Sequence, residues 1–228
     1  VKKVADFKSP AELKEFERDL RRLATIRGMP AVDRLAEIAA EGASAGIPVD
    51  ELLDFVQTTA PASVAFGIME GQAGDSIGTL RGNFKLTNGE VKNLLGSINE
   101  LGNQTRAKAP DIIEILTRAS VAGERIGLSG EQVSAFAAAM REGGAETAVA
   151  GTALNNFFGF MELGEKRNKK FGASMAKLGI NADTFAAAME RNPNKALTDF
   201  LEALSKSEEQ SDILFDLFGA EYSNQIGI

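Results

Sequence analysis

Residues 86–101 read LTNGEVKNLLGSINEL and carry two signals that decide the fold class. Thr87 is a residue type that caps helices, and Glu90 stands three positions after it, as in a capping box. The stretch predicts an amphipathic helix that begins just after Thr87. Apolar residues recur in it at the spacing of one helix face, at Val91, Leu94, Leu95, Ile98 and Leu101.

Apolar stripes of the same spacing recur along the chain. They comprise Leu13, Phe16, Leu20 and Leu23, then Val133, Phe136, Ala137 and Met140, and finally Leu197, Phe200, Leu201 and Leu204. No useful length of sequence alternates apolar and polar residues with the period of two that a half-buried strand needs. The sequence therefore predicts an all-α fold, an irregular multi-helix bundle of short helical hairpins with about ten to twelve helices.

Prolines and glycines mark the predicted helix boundaries. Ser9-Pro10-Ala11-Glu12 supplies a cap, a first-turn proline and a capping-box acid, which predicts a helix from there to about Arg27, with Gly28 as its stop. First-turn prolines of three further helices are predicted at Pro30, Pro110 and Pro193. Glycines that end apolar stripes stand at Gly46, Gly127, Gly164, Gly179 and Gly219.

A capping box with a hydrophobic staple is predicted four times. Each copy has an apolar residue, a cap, an acid or amide three positions after the cap, and an apolar residue one position later. The copies span 47–52, 86–91, 128–133 and 180–185. Pro48 cannot cap with a side chain, so the first copy fits only in its staple. The spacings are too uneven for a solenoid and indicate hairpins within one bundle.

The composition excludes several kinds of chemistry. The 228 residues include no His, no Cys, no Trp and one Tyr. Without His or Cys there is no Ser-His-Asp or Cys-His machinery and no ordinary zinc site. The carboxylates are scattered singly, and the glycine runs lack the lysine and the Ser or Thr of a phosphate-binding loop. We expect no catalytic residues, no metal site and no cofactor.

The charge balance argues against sequence-specific nucleic acid as a partner. Asp and Glu number 32 against 25 Lys and Arg, a net charge of −7, whereas phosphate neutralisation needs clustered cations. With 44% hydrophobic residues the chain can build a real core. The longest uncharged stretches, 55–69 and 147–161, have about 15 residues each and fall short of a bilayer span. They predict buried helices and no stable membrane span.

The central and C-terminal parts of the chain contain an ordered series of short segments. They are Phe84-Lys85-Leu86-Thr87, 98–103, Asp111-Ile112-Ile113 with Arg118, 127–131, 151–156, 178–180, 201–204 and 217–219. Their order and approximate spacing resemble those of phage tail tape measure proteins, and the resemblance covers Ala31 to Gln225. One departure lies at 118–123, where many relatives carry paired glycines; it affects only how closely two helices approach.

The resemblance implies a structural role. Proteins of this family sit inside the tail tube of a phage or related particle, set tail length during assembly and leave the tube when the genome is ejected. The implied partners are tail tube and baseplate or hub proteins, with tail assembly chaperones and further copies of the chain as candidates. The implied location is the virion tail, and the host cytoplasm during assembly.

The start of the chain and its helix breaks bear on its place in such a protein. It shows no leader and does not begin with Met, so we expect a piece of a longer chain. Residues 1–30 would form an N-terminal helix that links to the preceding part, and 31–228 the tape-measure-like helical domain. As one straight helix the chain would extend about 340 Å, but its glycines and prolines forbid that. We expect the length-setting segment elsewhere and a folding or docking domain here.

Two adjacent runs are predicted to form a partner interface. Residues 155–161 hold three aromatics in four positions, so either neighbouring helices cover the run on several sides or part of it is an exposed patch. Residues 165–170 form a basic run that is either a solvated turn or a contact with an anion or the tube wall. The predicted interface residues are Phe157, Phe158, Phe160, Met161, Lys166, Arg167, Lys169 and Lys170.

Two alternatives from other classes stay open. Glu70 and Glu162 each end an apolar run, and a glutamate whose pKa is raised by an apolar wall is the general acid of glycosidic cleavage. The resemblance admits such a role, because tape measure proteins often carry peptidoglycan-hydrolase modules. No Glu-Ser pair of the lytic transglycosylase type occurs, and we expect no enzyme. The third interpretation is a membrane-active segment built on the two uncharged stretches.

Overall fold

The structure, a computed structural model, describes residues 1–166 and 168–226, and for residues 165 and 220–226 it describes the backbone. Twelve α-helices and no strand lie in this part of the chain, which confirms the predicted all-α fold. They are α1 (Pro10–Leu23), α2 (Val32–Ser44), α3 (Val49–Phe66), α4 (Glu70–Asn83), α5 (Asn88–Gln104), α6 (Ala109–Arg125), α7 (Gly130–Glu142), α8 (Thr147–Leu163), α9 (Phe171–Lys177), α10 (Ala182–Arg191), α11 (Pro193–Ser205) and α12 (Gln210–Ile226). A short 3-10 helix, Gly164–Lys166, follows α8.

The chain folds into two compact units. Unit 1 comprises Val1–Asn103 and Lys108–Ile113, and unit 2 comprises Gln104–Ala107 and the chain from Glu114 onward. In unit 1, α1 packs against α2 and α3, and α2 packs against α4. In unit 2, α8 packs against α7 and α12, and α10 packs against α9 and α11. The predicted division at residue 30 stays a prediction.

Side-chain caps start three of the helices where the sequence predicts them. Ser9 accepts a hydrogen bond from the Glu12 N–H at the start of α1, at 3.1 Å. Ser129 and Gln132 form a complete capping box at the start of α7. Thr87 and Glu90 do the same before α5, with Thr87 N–H to Glu90 Oε2 at 2.7 Å. Each of these caps satisfies backbone N–H groups that the first turn leaves without a helical partner.

The fourth predicted capping box is only half formed. Asn181 caps α10 by accepting a hydrogen bond from the Thr184 N–H at 3.0 Å. Thr184 stands where a box needs an acid or amide, and its hydroxyl donates to the Asn181 carbonyl. The cap prediction is therefore right, and the reciprocal half is wrong because a hydroxyl at this position bonds backward to a carbonyl.

Two predicted boundaries near the N-terminus are wrong by a few residues. α1 ends at Leu23, because the next residues turn tightly and the Thr25 hydroxyl bonds to the Arg22 carbonyl at 2.7 Å. Gly28 still has φ +91 in the turn that follows. Pro30 lies before α2, whose cap is the extended residue Ala31. Pro110 and Pro193 stand in the first turns of α6 and α11, as predicted.

The uncharged stretches lie mainly in α3 and α8. Residues 147–161 fall entirely within α8. The stretch 55–69 runs past the end of α3, where Gly67 adopts a left-handed conformation and Met69 is 73% exposed. None of the helices described has both the length and the apolar character needed to cross a bilayer.

Helices α2 and α4 approach each other through a glycine. A Cβ atom on Gly74 would lie 2.9 Å from the Cα atom of Ile38 and 3.0 Å from its carbonyl oxygen. These are backbone atoms of α2 and cannot rotate aside, so Gly74 sets how closely the two helices pack.

Candidate interaction surface

The predicted aromatic run lies at the centre of unit 2. Phe157 and Phe158 are 2% and 0% exposed, and Met161 is also buried. Phe158 contacts the ring of Phe136 on α7 at 5.6 Å between centroids. Neighbouring helices thus cover these three side chains, which is the first of the two alternatives that the sequence leaves open.

Helices α11 and α12 cover the rest of the aromatic run. Phe157 lies 6.3 Å from Phe200 on α11 and 5.8 Å from Phe218 on α12, measured between ring centroids. Phe160 is half-buried and meets the same Phe218 ring edge to face at 5.2 Å. Offset and edge-to-face pairs of this kind add to the stabilisation from apolar burial. The aromatic run of α8 therefore anchors α12.

The cations of the basic run 165–170, called the basic turn below, differ in their surroundings: two described ones face solvent and one contacts α12. Lys166 and Lys169 are exposed and form no ion pair with any side chain that the structure describes. Lys170 pairs with Asp216 at 2.5 Å, and this partner lowers the pKa of the Asp216 carboxyl. Arg167, the fourth predicted cation, lies outside the described residues. The interface role of this turn stays a prediction.

A second ion pair joins α9 to the start of α12. The Lys177 ammonium lies 2.8 Å from the Glu209 carboxylate, and this contact raises the pKa of Lys177. This pair and the one between Lys170 and Asp216 lie on either side of the stretch of α12 that buries Ile213 and Leu214. Both pairs are largely exposed to solvent, so each contributes little stability.

Asn168, inside the basic turn, is the residue whose role sequence reasoning missed. Its side-chain amide donates to the backbone carbonyls of Asp216 at 2.6 Å and Leu217 at 3.2 Å. These carbonyls lie just before Gly219, where φ 76 and ψ 174 interrupt α12. Asn168 thus caps the first part of α12 from a distant part of the chain. No local pattern marks this role, because the capped carbonyls stand almost fifty positions away.

An open cleft of about 730 Å³ lies beside the aromatic run in unit 2. Its lining includes the buried side chains of Met161, Phe171 and Phe185. Leu163, at the end of α8, also lines the cleft and is 43% exposed. The cleft therefore offers apolar surface that the described chain leaves uncovered.

Charged side chains of both signs line the same cleft. Arg125 and Glu162 form an ion pair at 2.8 Å. The exposed Lys166 follows α8, and the exposed Asp183 and Glu190 lie on α10. Of the eight predicted interface residues, Met161 and Lys166 are brought together here, and the other described ones lie outside the lining. The arrangement can accept apolar side chains between groups of opposite charge.

The two glutamates considered as general acids each contact an arginine. Glu70 Oε2 lies 3.0 Å from Arg34 Nη1, and Glu162 pairs with Arg125. Neither carboxyl has the purely apolar wall that the hydrolase alternative requires. Among the residues that the structure describes, no group of three or more Asp, Glu, His or Cys is placed to hold a metal ion.

Comparison with known proteins points to one family. A family model described as phage-related minor tail protein matches residues 18–219. Over 174 residues the chain is 29% identical to a protein named "Probable tape measure protein" of Halomonas phage phiHAP-1, an alignment that covers 75% of the chain and 20% of that relative. The chain therefore spans about a fifth of the length of the curated relative it matches. No solved structure matches the chain.

Proposed function

The chain belongs to the family of phage-related minor tail proteins, and we propose that it is a structural, non-enzymatic segment of a phage or prophage tail tape measure protein. The match of the family model to residues 18–219 carries this proposal, and the similarity to a probable tape measure protein supports it. In this proposal the parent protein takes part in tail assembly, in tail length determination and in genome ejection, and this segment contributes a folded domain to it. It resides in the virion tail, and in the host cytoplasm during assembly.

Its partners, in this proposal, are tail tube and baseplate or hub proteins. Tail assembly chaperones and further copies of the chain are additional candidates. The exposed Lys166 and Lys169 support a contact with an acidic protein surface, because exposed cations steer and orient such a contact.

Within the parent protein we assign this segment to folding or docking and not to the measurement of length. Among the described residues the longest helix is α3, which has 18 residues and spans about 27 Å. A straight helix of the whole chain would extend about 340 Å. Short helices folded back on one another span little length for their mass, so they make an inefficient ruler.

Deletion of the segment from the parent chain tests this assignment. We expect loss of assembled or infectious particles, because the deletion removes a folded domain that other tail components contact. A deletion of equal length from a part of the parent outside this segment is the control. Tails that assemble normally but are shorter by about 1.5 Å for each deleted residue would contradict the assignment. Electron micrographs of the tails, with plaque counts, measure both outcomes.

A further inference from the structure

We propose that the cleft beside α10 is a docking groove for one amphipathic helix of another protein, with acidic residues along one flank and basic residues along the other. This inference rests on the proposed function, since it names the chemistry of a partner for that segment. Three observations carry it: an uncovered apolar stripe on α10, further apolar residues from α8 and the end of α6 in the same cleft, and charged residues of opposite sign on different elements of its lining. The like charges that two paired copies of α10 would bring together argue against a second copy as the occupant.

The first observation is the second apolar stripe of α10. This helix buries one side chain, Phe185, in unit 2. Ala182, Ala186 and Met189 recur at i, i+4 and i+7, which places them on one helix face, and all three line the cleft. Ala186 is exposed and the other two are partly exposed. A stripe of this spacing is what a helix presents to another helix.

Apolar residues from outside α10 also line the cleft. Leu163 is the last residue of α8, and Gly164 follows it with φ +50, which stops the helix at the cleft. Ile126, after α6, is half-buried and also lines the cleft. The unbranched Met161 and Met189 can adapt to the side chains of an incoming helix.

The cleft suits a helix better than an enclosed small molecule. Its volume of about 730 Å³ is within the range of ligand pockets. Small-molecule sites, however, hold a few convergent polar groups that fix one orientation. Here Lys166, Asp183 and Glu190 are exposed to solvent, and Arg125 and Glu162 already satisfy each other. What the cleft offers to a ligand is mainly apolar surface between solvated charges.

The charges specify the flanks of the docked helix. Lys166 supplies a cation after α8, and Asp183 and Glu190 supply two carboxylates on α10. Complementarity places acidic residues of the partner near Lys166 and basic residues near α10. Rim charges of this kind set orientation and partner choice, while the apolar contacts supply most of the affinity.

If α10 of one copy packed against α10 of a second copy, the carboxylates that α10 contributes to the cleft would meet carboxylates and not cations. An antiparallel pairing of α10 with itself about Ala186 brings Asp183 of each copy close to Glu190 of the other. Like charges that face each other across an interface are destabilising. A helix of different sequence, with a basic flank at this position, avoids that repulsion.

Binding of designed helices to the intact 228-residue chain tests the proposal. The probes are three fluorescently labelled synthetic peptides that share one leucine face at i, i+3, i+4 and i+7. One carries Glu along one flank and Lys along the other, one carries Glu on both flanks, and one carries Lys on both. We expect the mixed peptide to bind at least about tenfold more tightly than the other two by fluorescence anisotropy. Absence of binding, or equal binding of all three, would overturn the proposal.

Two neighbouring substitutions on α10 locate the binding site. Ala186→Glu places a charge in the apolar stripe and should weaken the mixed peptide at least about tenfold. Ala187→Glu adds the same charge at an exposed position outside the cleft lining and should change the affinity by less than about twofold. An equal loss in both variants would place the peptide elsewhere and refute the groove. Amide exchange of Ala186→Glu must match that of the unsubstituted chain, and if it does not, Met189→Glu replaces it.

Self-association is the competing occupancy, and light scattering detects it. If the chain forms dimers and Ala186→Glu abolishes them, the groove holds a second copy and the foreign helix is refuted. A negative result in these binding experiments leaves the tail role standing, because the deletion in the parent chain tests that role through particle assembly.

Discussion

The side-chain amide of Asn168 donates a hydrogen bond of 2.6 Å to the backbone carbonyl of Asp216, 48 residues further along the chain. Gly219, with φ 76 and ψ 174, interrupts the regular helix three residues after Asp216. The Asn168 amide supplies a donor to two carbonyls just before that interruption, so a residue in the basic turn stabilises α12.

Replacement of this amide should loosen α12. We expect Asn168→Ala to destabilise the packing of α12 by about 1–2 kcal/mol, since two carbonyls lose their donor. Hydrogen exchange should show lower protection of amides in 213–218 and unchanged protection in unit 1. Asn93→Ala, at an exposed position on α5, is the control. Equal protection of α12 in both variants would show that the cap is dispensable.

A pair of glycine substitutions in unit 1 should have effects of opposite sign. Gly74→Ala should destabilise unit 1 by about 1–3 kcal/mol, because its new methyl group would meet the backbone of Ile38. Gly96→Ala on α5 should stabilise it by about 0.5–1 kcal/mol, because nothing lies within 4 Å of its Cβ position and Ala is the better helix former. Hydrogen exchange of α2 and α5 amides measures both. Stabilisation by both substitutions would disprove the close approach of α2 and α4.

The capping box at α5 should depend on pH. The backbone N–H of Thr87, and then its hydroxyl, donate to the Glu90 carboxylate and lower the pKa of Glu90. A pKa that is lower in the folded state gives a contribution to stability that is present above the unfolded-state pKa, about 4.3. This contribution is lost as the pH falls through the folded-state pKa.

Carboxyl titration by NMR measures this effect. Thr87→Ala should raise the pKa of Glu90 only part of the way toward its ordinary value, since the backbone N–H of residue 87 stays in place. Thr198→Ala, on α11 in unit 2, is the control and should leave it unchanged. If the pKa of Glu90 in the unsubstituted chain lies at or above its ordinary value, the capping box between Thr87 and Glu90 does not form in solution.

The segment should lack peptidoglycan-cleaving activity. Glu70 and Glu162 each lie beside a guanidinium, and a general acid of this class needs an apolar wall. We expect the purified chain to leave the turbidity of a cell-wall suspension unchanged, with lysozyme as the positive control. Clearing that disappears in Glu70→Gln or Glu162→Gln would establish the hydrolase alternative.

The helix starts and the fold class were predictable because their signals are local. The caps Thr87 and Ser129 stand three residues from the groups that they bind, and the stripes that follow define one helix face. The close approach at Gly74 was not predictable, because it depends on which helix lies opposite α4. The predicted end of α1 was wrong for a related reason. The Thr25 hydroxyl bonds to the Arg22 carbonyl and competes with the backbone N–H groups that would continue the helix.

The candidate site was predictable only in part. The sequence pointed to the end of α8, and Met161 and Lys166 do line the cleft there. The sequence pattern also indicated Phe157 and Phe158, whose burial depends on rings supplied by α7, α11 and α12. The stripe of Ala182, Ala186 and Met189 was present in the sequence, but alanines carry a weak apolar signal and Phe185 marks the buried face of α10 more strongly.

The shortness of the helices has a mechanical consequence for passage through a narrow channel. α9 has 7 residues and α10 has 10, whereas isolated helices shorter than about 12–15 residues are marginal in water. We expect these helices to melt once a pulling force separates them from their neighbours. A chain drawn through a bore too narrow for either unit then travels as extended polypeptide, at up to about 3.3–3.6 Å per residue. Under such a load the segment would have two end-to-end lengths, a short one when folded and a long one when threaded.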